Sequence, residues 1–117
     1  GFRFRGYVLD KYQRPTFKYE RGDVAIEDTP MPVAAGEDDL AGQIKRTIKL
    51  KAKDAPENLY FRIAKGGFEE NDGSFESSEL AITVKGGKPS TQGDELRVPI
   101  TFKNGAAELE VTYEWTN

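Results

Sequence analysis

Carboxylates are the main acid–base groups that this 117-residue chain offers, because the sequence contains neither histidine nor cysteine. That composition excludes a histidine general base, a Ser–His–Asp triad, a thiolate nucleophile, and imidazole or thiolate ligands for zinc or haem. Glu108, Glu110 and Glu114 are the first candidates, since a glycosidase places two carboxyl groups across a cleft. They alternate with four apolar residues, Leu109, Val111, Tyr113 and Trp115. This alternation puts the glutamates on the solvated side of a strand, so we predict no catalytic residue.

Two acidic stretches, residues 37–39 and residues 69–72, contain carboxylates that could serve as oxygen ligands for calcium. Calcium takes roughly six to eight oxygens, and neither stretch has the ligand spacing of an EF-hand loop. Runs of charge are most often solvated surface. We therefore predict no metal and no cofactor, with calcium binding by one of these loops as the open alternative.

Basic residues line two of the predicted strand faces. They are Lys45, Lys49, Lys51 and Lys53 on one face, and Arg3 and Arg5 on the other. The whole chain nevertheless has 17 basic and 20 acidic residues, a net charge of −3 and a pI of about 5.1, which is the wrong sign for phosphate binding. Outward lysines also protect edge strands from aggregation. We predict no nucleic-acid partner, and no membrane insertion because no apolar run approaches about 20 residues.

Four tyrosines are candidates for a binding surface: Tyr7, Tyr12, Tyr19 and Tyr60. An exposed aromatic ring can stack on a sugar, and exposed aromatic patches often mark binding sites. A tyrosine at the rim of a core explains the same pattern, because its ring covers apolar residues while its hydroxyl reaches water. A carbohydrate-binding module is therefore an alternative hypothesis for the function.

Strands must position these groups, because apolar residues recur at every second position through most of the chain. The predicted inward residues are Phe2, Phe4, Val8, Ile44, Ile48, Leu50, Ala52, Leu59, Phe61, Ile63, Leu80, Ile82, Val84, Leu96, Val98, Ile100 and Phe102. On the N-terminal strand, Arg3, Arg5 and Tyr7 fall on the opposite face. Arg46 falls among the inward residues, so we expect it at a sheet end or in an internal ion pair with a carboxylate.

Turn residues separate these strands at residues 13–15, 21–23, 71–73 and 104–105, and residues 29–42 are predicted as a surface loop with one helical turn near 37–40. Eight to ten short strands with such spacing predict an all-β fold, an antiparallel β-sandwich of jelly-roll or immunoglobulin-like order. We expect residues 1–117 to form a single module excised from a larger protein. Its stability should depend mainly on seven residues, Phe4, Phe61, Leu96, Ile100, Phe102, Val111 and Trp115.

The segment FRFRGYVLDKYQRPTFKYERGDVAIED resembles a β-rich accessory domain of large secreted redox proteins of planctomycetes and their relatives. The likeness extends through IKRTIKL, ENLYFRIAKG and ELRVPITFKNGAAELEVTYEW, and the pattern between Phe4 and Phe17 is its most distinctive part. In those proteins the domain accompanies sorbosone- or glucose-dehydrogenase-like β-propellers and c-type cytochrome domains. The resemblance implies a periplasmic or extracellular location and carries over no catalytic residue.

The leading hypothesis is a non-catalytic module that docks against neighbouring domains of such a redox protein. Its predicted docking surface comprises Arg3, Arg5, Tyr7, Arg14 and Tyr19, because tyrosine and arginine are enriched at the centres of protein interfaces. The alternative partner is a polysaccharide. A hydrolase that uses only carboxylates is the third hypothesis, and it requires two acidic side chains that face each other in a cleft.

Overall fold

The computed structural model describes residues 3–11, 14–33, 43–54 and 58–115, and in these ranges the regular secondary structure consists of β-strands. The strands are β1 (Arg3–Leu9), β2 (Pro15–Arg21), β3 (Val24–Val33), β4 (Gln43–Ala52), β5 (Tyr60–Lys65), β6 (Glu69–Asn71), β7 (Ser74–Glu76), β8 (Leu80–Lys85), β9 (Ser90–Gln92), β10 (Glu95–Pro99) and β11 (Ala106–Trp115). Three of the eleven, β6, β7 and β9, have only three residues each.

The strands form two antiparallel sheets of unequal size. The large sheet has eight strands in the order β1-β2-β3-β4-β11-β8-β7-β6, and the small sheet has three in the order β5-β10-β9. The apolar faces of the two sheets pack on each other, so the predicted antiparallel β-sandwich is confirmed. The first four strands follow one another as a meander, and β11 inserts between β4 and β8.

The core lies between the small sheet and the middle of the large sheet. Its fully buried side chains are Ile48, Leu50, Ile82, Leu96, Val98, Leu109 and Val111. Among the residues predicted to dominate stability, Leu96, Ile100 and Val111 are buried, and Phe61 and Phe102 are partly buried. The prediction is wrong for Phe4 and Trp115, which are 53% and 42% exposed. The small sheet has three strands and cannot cover all eight strands of the large sheet, and among the described residues the edge strand β1 stays largely exposed.

The predicted loop at residues 29–42 is wrong for residues 29–33, which continue β3. β3 and β4 pair along ten residues, from Val24 opposite Ala52 to Val33 opposite Gln43. Pro30 and Pro32 lack the N–H that a strand with two neighbours uses, but the pairing of β3 with β2 ends at Asp28. Within the described residues, both prolines therefore lie where β3 pairs with β4 alone. The predicted helical turn near 37–40 lies outside the described residues.

The predicted turns at residues 21–23, 71–73 and 104–105 are confirmed. Asp72 and Gly73 have positive φ angles of 52° and 85°, and Asn104 and Gly105 have positive φ angles of 53° and 77°. Two consecutive residues of positive φ match the right-handed twist of the flanking strands in a tight hairpin. These turns set the register of β6 with β7 and of Lys103 with Ala106.

Candidate functional site

An ion pair lies between the sheets, as one alternative for Arg46 predicted. Asp28 on β3 is the one buried charged residue of the described chain, at 5% exposure, and it shares the inward face with Val24 and Ile26. The Arg46 Nε donates to both carboxylate oxygens of Asp28 at 2.8 Å, and its Nη2 donates to Oδ2. Burial opposes the charged form of Arg46, but the hydrogen bonds and the charge of Asp28 outweigh it and raise the pKa of the guanidinium.

Tyr113 extends this ion pair to the small sheet. The Arg46 Nη1 donates to the Tyr113 hydroxyl at 3.1 Å, and that hydroxyl donates to the backbone carbonyl of Ile63 at 2.9 Å. Ile63 is the extra residue of a bulge, because the pairing of β5 with β10 passes from Arg62 to Ala64 over a single step of β10. The guanidinium also lies 5.1 Å from the ring centroid of Phe61 on β5.

This network connects the sheets and is poorly suited to proton transfer. Burial raises the pKa of Tyr113, although the nearby charge of Arg46 acts in the opposite direction. The pKa of Arg46 is raised as well, so neither group gives up a proton near neutral pH. Within the described residues, every buried side-chain nitrogen or oxygen has a hydrogen-bond partner. The arrangement therefore fixes the position of β5 above β4 and β11.

The glutamates of β11 lie on the solvent side of the large sheet, as predicted. Glu108 and Glu114 are exposed, and Glu110 forms an ion pair with Lys45 at 3.2 Å between Nζ and Oε1. In the described ranges, no group of three or more acidic residues is arranged to hold a metal ion. The acidic stretch at residues 37–39 lies outside them.

A bulge in β1 changes the facing that alternation predicts for this strand. The pairing with β2 passes from Phe4 to Gly6 while β2 advances by one residue, and Gly6 has a φ of 112°. The extra residue, Arg5, shifts every later side chain to the opposite face. Tyr7 therefore shares the face of Phe4, and Val8 does not, contrary to the simple alternation.

Together the two N-terminal strands present an aromatic surface on the core-facing side of the large sheet, beyond the edge of the small sheet. We call it the aromatic shelf: Phe4, Tyr7 and Leu9 on β1, and Phe17 and Tyr19 on β2. Phe4, Tyr7 and Leu9 are 53%, 60% and 49% exposed, whereas Tyr19 packs partly against the core. Phe4 lies 5.4 Å from Tyr19 and Tyr7 lies 6.1 Å from Phe17, measured between ring centroids.

The residues of the predicted docking surface fall on both sides of this two-stranded edge. Tyr7 and Tyr19 belong to the aromatic shelf. Arg3 lies opposite Glu20 on the outer face, and Arg5 forms an ion pair with Glu20 at 3.4 Å. Arg14, which immediately precedes β2, forms an ion pair with Asp10 at 2.7 Å and contacts the Met31 sulfur. The structure thus separates the tyrosines from the arginines by the thickness of the sheet.

Of the other tyrosines, Tyr60 lies on the outer face of the small sheet with the Arg97 guanidinium 4.2 Å from its ring centroid. Arg97 and Arg62 both donate to Glu95, and these hydrogen bonds lower the pKa of Glu95. The cation occupies one side of the Tyr60 ring. Tyr12 lies outside the described residues.

Two features of the candidate site were not predicted from the sequence, namely the burial of the Asp28 carboxylate and the bulge at Gly6. Asp28 follows Val24 and Ile26 at intervals of two, so its inward position was visible in the alternation. The bulge has no such signal apart from the glycine itself.

Comparison of the chain with protein-family models, with curated proteins and with solved structures finds no match. Across the described ranges, no helix has the length and apolar character needed to cross a bilayer.

Proposed function

We propose that this chain is a non-catalytic docking domain of a larger extracytoplasmic redox protein, and that the aromatic shelf is its contact surface for a neighbouring domain. The observation that carries the proposal is the exposure of three large apolar side chains in a row on one face, Phe4, Tyr7 and Leu9. Soluble proteins rarely leave such a patch uncovered unless it binds something. Aromatic residues are also enriched at the centres of protein interfaces.

The resemblance supports the redox context of this proposal. Its most distinctive segment, from Phe4 to Phe17, supplies most of β1 and the start of β2. The most distinctive part of the likeness thus contains most of the residues that form the shelf. In the resembled proteins the cofactors belong to the propeller and cytochrome domains, so the role left for this chain is to hold or space such domains.

The ring geometry favours a protein partner over a polysaccharide. Binding a sugar chain by stacking calls for open ring faces, but the shelf rings are tilted against each other by 44° to 54°. Tilted rings present ridges and gaps, which suit interdigitating apolar side chains. Leu9 adds an aliphatic side chain that has no use in stacking on a pyranose.

The test is calorimetric titration of the full chain with the polypeptide encoded beside it in the same reading frame, expressed separately. We expect binding that falls by about a hundredfold in a Phe4→Ser, Tyr7→Ser double variant, because truncating a central aromatic contact costs ~2 kcal/mol or more. Tyr60→Ser is the matched control, since it removes an aromatic residue of similar exposure from the other sheet. Equal affinity of the shelf variant and the wild type would refute the docking role.

Affinity electrophoresis on polysaccharide gels tests the alternative partner. Retardation of the wild type that the shelf variant loses would replace the protein partner with a sugar chain. Retardation that Tyr60→Ser loses would move the sugar site to the small sheet.

A further inference from the structure

We propose that β1 accepts an added β-strand from the partner, and that this strand alternates apolar residues with acidic ones. The inference rests on the proposed docking function and specifies the chemistry of the docked segment. In this mode an extended segment gains affinity from backbone hydrogen bonds and specificity from its alternate side chains.

The backbone requirement is met because β1 is the terminal strand of the large sheet. Within the described residues it pairs with β2 alone, over the full length from Arg3 to Leu9. Six of its seven residues are exposed, the bulge glycine being the exception. The opposite terminal strand, β6, is only three residues long and carries Glu69 and Glu70. A long edge strand with exposed apolar side chains is the kind that recruits another strand.

The apolar half of the alternation follows from the shelf. Side chains of a strand paired with β1 would lie about 4.5–5.5 Å from their opposite neighbours on the same face. On the inner face those neighbours are Phe4, Tyr7 and Leu9, all about half exposed. Apolar residues of the added strand would pack beside them and extend the apolar inner face of the large sheet by one strand.

The acidic half follows from the charge of the outer face. Residues 1–21 contain six basic and two acidic residues, whereas the whole chain is acidic with a net charge of −3. On β1 the outer-face cations are Arg3 and Arg5, and the ion pair of Arg5 with Glu20 is exposed, with about half of each side chain accessible. Glutamate or aspartate at alternate positions of the added strand would pair with these two arginines.

The same charge disfavours a second copy as the occupant. Two β1 strands brought edge to edge would join two segments that each contain four more cations than anions. The bulge at Gly6 also twists the edge, which is a common means of preventing identical chains from pairing. An acidic partner strand avoids this charge repulsion and has only to follow the twist of the edge at the bulge.

The test measures fluorescence anisotropy of the full chain with a labelled seven-residue peptide of alternating valine and glutamate, equal in length to β1. One control peptide has lysine in place of glutamate, and a second is N-methylated at alternate amides, which blocks strand pairing but keeps the side chains. We expect the glutamate peptide to bind about tenfold more tightly than the lysine peptide, from two cross-strand charge pairs. N-methylation should abolish binding, and Arg3→Glu, Arg5→Glu should reverse the peptide preference.

The outcomes separate this inference from the docking proposal. Binding that survives N-methylation, or that ignores the charge reversal in a variant with wild-type unfolding behaviour, overturns strand addition. Loss of neighbour-domain binding in the shelf variant would still uphold docking in that case. A concentration-dependent dimer that Arg3→Glu, Arg5→Glu strengthens would identify a second copy as the occupant and overturn the inference.

Discussion

Replacing Asp28 with asparagine tests whether the ion pair between the sheets stabilises the fold. The substitution keeps the shape of the side chain but leaves the Arg46 guanidinium without its counter-charge and places an amide N–H₂ near it. Removing one partner of a buried pair costs about 3–5 kcal/mol, because the remaining charge is left uncompensated. Asp28 is buried, but 26% of the Arg46 side chain is accessible, so water can compensate in part. We therefore expect a loss of about 3 kcal/mol in the free energy of unfolding.

Urea unfolding followed by tryptophan fluorescence is the suitable assay. Trp115 is the single tryptophan, and its ring is stacked on Tyr113 at 6.5 Å, so its emission reports on the end of β11 beside the network. Glu110→Gln is the matched control, since it breaks an exposed ion pair on the other face of the same sheet. That control should cost less than about 1 kcal/mol.

The double variant Asp28→Leu, Arg46→Leu distinguishes the electrostatic contribution of the ion pair from the contribution of side-chain packing. Replacing both charges with apolar side chains removes the desolvation penalty along with the attraction, so its stability should return to within about 1 kcal/mol of the wild type. A loss below about 1 kcal/mol for Asp28→Asn, or a double variant whose loss equals the sum of its two single losses, would refute this account of the network.

Three further predictions concern packing and pH. Leu96→Ala should lower the free energy of unfolding by about 3–5 kcal/mol and Phe61→Ala by about 3 kcal/mol, whereas Phe4→Ala, on the exposed shelf, should lower it by less than about 1 kcal/mol. Urea unfolding measures all three, and a larger loss for Phe4→Ala than for the other two would show that the core-facing residues are wrongly assigned. Gly86→Ala should cost about 2 kcal/mol in the same assay, because φ is +97° and an added Cβ would strike the Glu108 carbonyl oxygen; an unchanged midpoint would contradict this. The lowered pKa of Glu95 contributes stability above its unfolded-state value of about 4.3 that is lost as pH falls through the folded-state value. Glu95→Gln should therefore flatten the acid limb of the stability profile, and an unaltered limb would count against the ion pairs with Arg62 and Arg97.

Alternation predicts the sandwich and most of its core because each regular strand has one face against the other sheet. The inward assignment is right for Ile48, Leu50, Ile82 and Val98, which are all buried. How many strands of the large sheet the small sheet covers depends on contacts between distant segments of the chain. No local sequence pattern encodes that number. The burial of Phe4 was overestimated for that reason.

The candidate site was predicted only in part. Period-two spacing placed Arg46 inward and required a carboxylate, but several acidic residues could have met that requirement before the pairing of β3 with β4 was known. The predicted docking surface combined residues that are close in sequence. Arg5 is one extra residue in β1, and it is enough to move Tyr7 to the face opposite that of the arginines. Bulges of this kind arise from the fit of two strands and have a weak signature in either strand alone.

The insertion of β11 between β4 and β8 has a consequence for how the chain folds. The β1–β4 meander needs only contacts between successive strands, so it can assemble early during synthesis. β4 gains its second neighbour only when β11 pairs with it, as Arg46 does with Val111. Closing so long a loop costs conformational entropy, so this step is slow. Until that closure Ile48 and Leu50, which are buried in the folded protein, stay open to solvent, so a partly synthesised chain has an apolar surface that favours aggregation.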